Sequence, residues 1–469
     1  MRRYSEAFFD EIVHWRPESR FVPFFSPRRS RTSHTTIPSI ARAVQPWRRL
    51  REPAPPCRSS AHSAKENIMN QKISPPSQKL DGLFLLALSM AVFFVGVTEF
   101  MLSSMLGPLA QAFHTTTSGA AWLISSYAFS YAIAAPLLGY FSDRMQRRKL
   151  LLLALILFAV DTLAIVIAPT LEIAVVLRVI GGIASAIIIP TTFALVAEVV
   201  APQRQAGAMG QVMLGMTLGI AAGPALAGLL SDFFGWAAPF LMVSCGCVLV
   251  FLMARQRLPV QAVAPRAEGH ALGWCRQWSI LRPLIAKGAW NGTGVAGLLL
   301  SGEVLRQRYG FSTAQIGISI AAFGVGLAVG NLAAGYLRRY LKRDEDMLLL
   351  VLALLVLSMS TFMLLPLPLP VALCCLGAWG AALGLGAPAG TVVLASRSGP
   401  DKGMVLSFAE TFNNIAILAS VPLAVRLLEL KGPPATLWVL GIGLGIGAWL
   451  TVLDWFASRR SDEALPLRD

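Results

Sequence analysis

Residues 206–231 read AGAMGQVMLGMTLGIAAGPALAGLLS. The run carries no charged side chain, and it exceeds the roughly 20 helical residues needed to cross a hydrocarbon core about 30 Å thick. Its glycines and its Gly223-Pro224 step would weaken a helix in water. Lipid changes that balance, because neighbouring helices re-satisfy the backbone groups that Gly and Pro leave free. The stretch is therefore predicted to be a membrane span.

Working outward, the same reading finds spans near 83–106, 120–141, 149–168, 172–197, 236–254, 284–302, 314–336, 347–366, 370–395, 403–428 and 433–456, which makes twelve. The composition agrees: 55% of residues are apolar and only 14% charged, outside the range of soluble domains. An all-α membrane protein of twelve transmembrane helices is the expected fold. Short loops rich in Lys and Arg stay on the cytoplasmic side. Clusters such as Arg144/Arg147/Arg148/Lys149, Arg255/Arg257/Arg266/Arg276/Arg282 and Arg338/Arg339/Lys342/Arg343 mark one side, while the other holds Arg306, Arg308, Arg426 and Lys431. Both termini are expected to be cytoplasmic, in a multi-pass protein of the bacterial inner membrane.

The formal charge of +15 could suggest nucleic acid, but residues 1–79 alone hold 15 Lys/Arg against 6 Asp/Glu. The rest is the basic bias of the inside loops, so no nucleic-acid partner is expected. The leader 1–79 is Arg-, Ser- and Pro-rich without periodicity and reads as disordered. Met69-Asn70-Gln71-Lys72 precedes the first span by a normal distance, so translation from Met69 would make residues 1–68 dispensable. The cysteines lie mostly inside spans, where they read as small apolar residues, and no metal site is expected.

The largest polar stretch of the membrane part, 255–283, divides the spans six and six. The halves are expected at 80–254 and 284–457, with a cytoplasmic tail over 458–469. Ala135-Pro136-Leu137-Leu138-Gly139-Tyr140 ends span two before a basic loop, and Asn331-Leu332-Ala333-Ala334-Gly335-Tyr336 ends span eight before another. Two parallel six-helix repeats with a site near the midplane are one plan of secondary transporters.

Four stretches carry a family resemblance. Gly139-Tyr140-Phe141-Ser142-Asp143-Arg144-Met145-Gln146-Arg147-Arg148-Lys149 resembles the signature loop of the major facilitator superfamily, with Gln146 in place of its second Gly. In span five, Gly210, Gly219, Gly223-Pro224 and Gly228 are similar to the motif of the antiporter branch, with Ala227 as the departure. Leu177-Arg178 with Gly181-Gly182 partly resembles a third motif, although Gly181 stands where Gln is usual. Gly96-Val97-Thr98-Glu99-Phe100 and Leu106-Gly107-Pro108-Leu109-Ala110 are most similar to the twelve-span drug and sugar efflux transporters. The resemblance implies the major facilitator fold, two pseudo-symmetric six-helix bundles, and proton-coupled efflux of small organic compounds by alternating access. It also implies a cytoplasmic latch of Gly139, Asp143, Arg144, Arg147 and Arg148, and a hinge at Gly210, Gly219, Gly223, Pro224 and Gly228. In the second half Arg339 stands where Asp143 would fall.

The coupling chemistry is expected at Glu99, inside span one, because an ionisable group in a membrane span is a functional candidate by default. Proton and cation, whether Arg178 or a cationic substrate, would compete for its carboxylate. The alternative is a Glu near the outer interface with a structural role. Arg178 must face a partner or water, or snorkel to the surface. In span eleven, Ser407, Glu410, Asn413 and Asn414 share one helix face. That face either lines the cavity or brings Glu410 to Lys402 near the inner surface. Asn291 with Thr293 and Asp161 are further cavity-lining candidates, which interhelical packing would explain equally well.

No Gly-Lys-Ser/Thr phosphate loop is present, so the expected energy source is a proton gradient, with no cofactor. An enzyme would need carboxylates, His or metal ligands gathered at the surface; the acidic run Asp344-Glu345-Asp346 stands among Arg and Lys without His. An importer of the same fold, a membrane enzyme and a non-transporting sensor are the rival readings. The expected partners are a small-molecule substrate and the lipid bilayer, with the chain acting as a monomer. A chain begun at Met69 is expected to reach the membrane in the same yield as the full chain, as measured by fluorescence-detected gel filtration; a loss of folded protein would show that the leader matters.

Overall fold

The computed structural model describes residues 82–141, 146–259, 272–341 and 343–463. The leader, Asp143, Arg144 and most of the linker between the halves lie outside the described residues. Span one is two helices, Gly82–Phe100 and Leu102–Ala112, joined at Met101. Span two comprises Thr117–Ala120 and Trp122–Phe141. Spans three to six are Arg147–Val166, Leu171–Val199, Pro202–Phe234 and Ala238–Arg257. Spans seven to twelve are Trp278–Tyr309, Thr313–Leu337, Asp344–Leu364, Leu369–Arg397, Lys402–Lys431 and Pro433–Glu463.

Among the described residues, eleven of these are apolar and long enough to cross a membrane. The twelfth, Trp278–Tyr309, is long enough but less apolar, and its buried residues occupy every side of the helix. A span enclosed by other spans has little lipid to satisfy, so it can carry Lys287, Asn291 and Glu303. It also begins earlier than the hydropathy window at 284, so the polar linker ends sooner than 283. The short 3-10 helix Leu272–Arg276 before it docks Trp274 on Phe408, with ring centroids 5.1 Å apart.

The two halves repeat one packing scheme. Span one lies on span five as span seven lies on span eleven, and span four joins two and three as span ten joins eight and nine. Across the halves, span two meets span eleven and span five meets span eight. Large apolar side chains such as Val176, Phe233, Leu332 and Ile442 stay exposed on the outside of the bundle, where lipid would cover them.

Prolines inside spans free a carbonyl four residues back, and the fold uses two of these. Pro136 leaves the carbonyl of Ala132, which accepts from the Thr411 hydroxyl of the opposite half at 3.0 Å. Pro283 leaves the carbonyl of Ser279, which accepts from Arg397 at 3.0 Å. Glycines of span five do the complementary work of letting backbones meet. A Cβ on Gly219 would collide with the carbonyl of Phe93 in span one, and one on Gly223 would lie 2.9 Å from the Cα of Val97. Gly210, by contrast, has nothing within 4 Å and does not belong to that packed surface.

These contacts predict a graded response to added side chains. Gly219→Val should force spans one and five apart and cost about 1–3 kcal/mol or more, read as a lower unfolding temperature in detergent. Gly207→Val, on the same helix with open space around it, should leave that temperature unchanged; equal effects would disprove the close approach.

Candidate functional site

Arg178 of span four is 1% exposed, so it does not snorkel. Its Nη1 meets Asp161 Oδ2 of span three at 3.2 Å, its Nη2 donates to the carbonyl of Thr98 at 3.1 Å, and its guanidinium lies 4.7 Å from the Tyr127 ring centroid. A Cβ on Gly181 would collide with the Asp161 carboxylate, which explains the glycine at this position. Asp161 is fully buried and is not on the wall of the central cavity, so of the two readings open for it the interhelical one describes its place. The cause is simple: a guanidinium in the membrane interior needs a carboxylate, and Asp161 supplies it.

Thr98, bound by Arg178, precedes Glu99, and Glu99 faces a central cavity of about 160 Å³. The wall also includes Tyr131, Asn291, Glu410, Asn413 and Asn414, with Phe100, Met216, Ile220 and Phe323 as apolar surface. A smaller space bordered by Tyr127, Arg178 and Leu299 shares Glu99 and Asn414 with it. Both halves therefore contribute to the wall. Asn291 Nδ2 donates to Asn413 Oδ1 at 2.7 Å, and Asn414 Nδ2 to the carbonyl of Glu410 at 3.0 Å. Thr293 turns away: a Cβ on Gly443 of span twelve would collide with its hydroxyl, so it belongs to packing.

Glu410 opens to solvent, with its side chain 48% exposed, and its cation is Lys287, at 3.8 Å, rather than Lys402. Lys287 is 7% exposed and donates to Thr391 Oγ1 at 3.1 Å. The sequence reading missed it, although the signal was present: Lys287 is the one ionisable residue inside the window 284–302. Glu303 was missed as well; it is 9% exposed and meets Arg306 at 3.4 Å one turn on. Among the described residues, Glu99 has no ion-pair partner, since Arg178 and Lys287 are held by Asp161 and Glu410.

The two ends of the bundle differ. At the basic-loop end, Arg147 pairs with Glu198, Arg148 donates to the carbonyl of Arg255 at 2.6 Å, and Arg397 binds Asp454 at 2.9 Å and Glu345 at 2.8 Å. Each of these contacts stays within one half. At the opposite end the halves touch, where a Cβ on Gly302 would collide with the carbonyl of Ser103 and one on Gly228 with that of Thr313. No group of His, Cys, Asp and Glu suited to a metal occurs among the described residues.

A sequence profile described as Major Facilitator Superfamily matches residues 88–378 and 288–466. Two Bacillus subtilis proteins resemble the chain. The uncharacterised MFS-type transporter YceJ is 28% identical over 246 residues, covering 51% of this chain and 63% of that protein. The uncharacterised MFS-type transporter YwoD is 30% identical over 183 residues, covering 39% and 40%. The chain thus spans less than two thirds of the length of these relatives. Among solved structures, a bacterial homologue of the human lysosomal transporter Spinster, inward-facing and occupied, superposes with a TM-score of 0.61 at 18% identity, covering 80% of this chain and 96% of that one. The nucleoside transporter NupG superposes with a TM-score of 0.64 at 12% identity, covering 79% and 99%. At these identities the likeness establishes the fold.

The buried pair gives a thermodynamic prediction. Arg178→Leu or Asp161→Leu alone should cost about 3–5 kcal/mol, because each strands a charge, whereas the double change should cost clearly less than either. Thermal unfolding of the three variants in detergent tests this; additive losses would show that the two residues do not act as a pair.

Proposed function

This chain belongs to the Major Facilitator Superfamily, and from that membership we propose that it is a proton-coupled exporter of small organic compounds working by alternating access. The observation that carries the reading is Glu99: a carboxylate on the cavity wall with no ion-pair partner among the described residues, while Arg178 and Lys287 have theirs. A carboxylate in that position can hold a proton or a cationic or hydrogen-bonding substrate, but not both at full strength. The amides of Asn291, Asn413 and Asn414 supply directional contacts, and Phe100 and Phe323 supply apolar surface for an organic body.

The cavity is closed at the end opposite the basic loops, where Gly302 and Gly228 bring the halves together. With the basic loops cytoplasmic, contact of the halves at this end supports uptake of substrate from inside the cell. We place the chain in the bacterial inner membrane, as a monomer with both termini cytoplasmic. Glu410 with Lys287 forms a second polar centre on the wall, and Arg178 with Asp161 supports the segment that carries Glu99. The span-five glycines let spans one and five shift against each other, and the loop holding Asp143 would tie the halves on the cytoplasmic side when the opposite end opens.

The energy suffices. One proton moving down about 100 mV and one pH unit yields about 2.3 plus 1.4 kcal/mol, enough for a gradient of a few hundredfold in a neutral substrate. In vesicles with an imposed pH gradient, screened against a panel of organic cations, sugars and metabolites, the native chain is expected to drive exchange and Glu99→Gln to lose at least about 90% of it. Undiminished gradient-driven exchange in the variant would remove Glu99 from the coupling, and movement unaffected by the gradient would favour a facilitator.

A further inference from the structure

Span five ends Asp232-Phe233-Phe234-Gly235, and span eleven ends Glu429-Leu430-Lys431-Gly432. The two spans hold equivalent places in the two halves, and each terminates at a glycine of positive φ, 86° at Gly235 and 79° at Gly432. Three residues before each glycine stands a carboxylate, and each carboxylate reaches the first turn of a helix in the other half. Asp232 Oδ2 accepts from the amide of Ala314, at the start of span eight, at 3.0 Å. Glu429 Oε1 accepts from the amide of Ser118, at the start of span two, at 2.7 Å.

The receiving ends match as well. The N-cap Ser312 of span eight accepts from the Gln315 amide at 3.3 Å, and the N-cap Thr116 of span two accepts from the Gly119 amide at 3.1 Å. In both helices the N-cap hydroxyl thus satisfies the third amide and leaves the second to a carboxylate of the opposite half. The arrangement places a negative charge on the positive end of each helix. Arg426, one turn before Glu429 at 4.0 Å, is largely exposed and competes weakly.

We propose that Asp232 and Glu429 are the gate residues at this end of the cavity, two matched latches, one in each half, that hold the end opposite the basic loops shut. This rests on the alternating-access reading. Opening this end moves span two away from span eleven and span eight away from span five, so neither latch can survive it. Closing re-forms both. A charge-assisted hydrogen bond to a helix terminus is worth about tenfold in the closed-to-open ratio, and two independent ones about a hundredfold.

The test places spin-label pairs on the purified full-length chain, its native cysteines replaced by alanine. Ile167 and Leu365 report the latch end, and Gln203 and Tyr340 the basic-loop end; all four are exposed and touch neither latch. Distances are read in acidic and in alkaline buffer. Asp232→Ala with Glu429→Ala is expected to shift the population about a hundredfold toward a longer Ile167–Leu365 and a shorter Gln203–Tyr340 distance, and each single change about tenfold. Asp232→Glu with Glu429→Asp, which keeps both carboxylates, should restore the closed population. Should the double alanine variant not purify as a monodisperse species, Asp232→Asn with Glu429→Gln must shift the population in the same direction. Reciprocal motion in the native chain with no shift in these variants overturns the latches and leaves alternating access standing. Absence of reciprocal motion in the native chain overturns alternating access itself.

Discussion

A guanidinium in the interior of a membrane must be paired, and the geometry of the N-terminal half follows from how Arg178 meets that requirement. On insertion scales such a residue costs about 2.5–3.5 kcal/mol at mid-helix. Asp161 neutralises it, Gly181 makes room for the carboxylate, and the Tyr127 ring covers one face. The remaining donor goes to the carbonyl of Thr98, which ties the end of the first helix of span one to span four. Glu99 is the next residue, and so its position on the cavity wall is set by the pair behind it.

The same rule organises the C-terminal half with different residues. Lys287 is buried in span seven and is held by Thr391 and Glu410. With Arg178 and Lys287 matched, Glu99 is a cavity-wall carboxylate without an ion pair among the described residues. An unbalanced acid is unfavourable in a fixed structure but useful in one that changes which side it faces, because a proton or a substrate can complete it. Charge pairing and transport chemistry are in this sense one arrangement.

Hydropathy exposed the spans because each helix answers to lipid individually, and most helix limits lie within about three residues of the apolar windows, while spans one, seven and twelve run six or seven residues beyond theirs. Span seven departs from its window at both ends, since much of its length is surrounded by other helices. The family motifs located Glu99, Arg178 and the span-five glycines, and the helix face 407–414 was visible from its spacing. Partnership was not legible. Asp161 and Arg178 are 17 residues apart on different spans, Lys287 and Glu410 on spans seven and eleven, and no local pattern states which carboxylate meets which cation. The Arg178–Asp161 pair could have been suspected from Gly181, a departure from the family pattern that only makes sense with a bulky neighbour. The matched Asp232 and Glu429 ends were likewise visible as acid, two residues, glycine, but their meaning needed the opposite half.

Glu99 is proposed as the group that gains and loses the proton while Arg178–Asp161 and Lys287–Glu410 stay paired. Infrared difference spectroscopy between acidic and alkaline conditions tests it on the purified protein without knowledge of the substrate. A protonated-carboxyl band is expected in the native chain that vanishes in Glu99→Gln and persists in Glu410→Gln. A band that survives Glu99→Gln, or that disappears with Glu410→Gln, would contradict it.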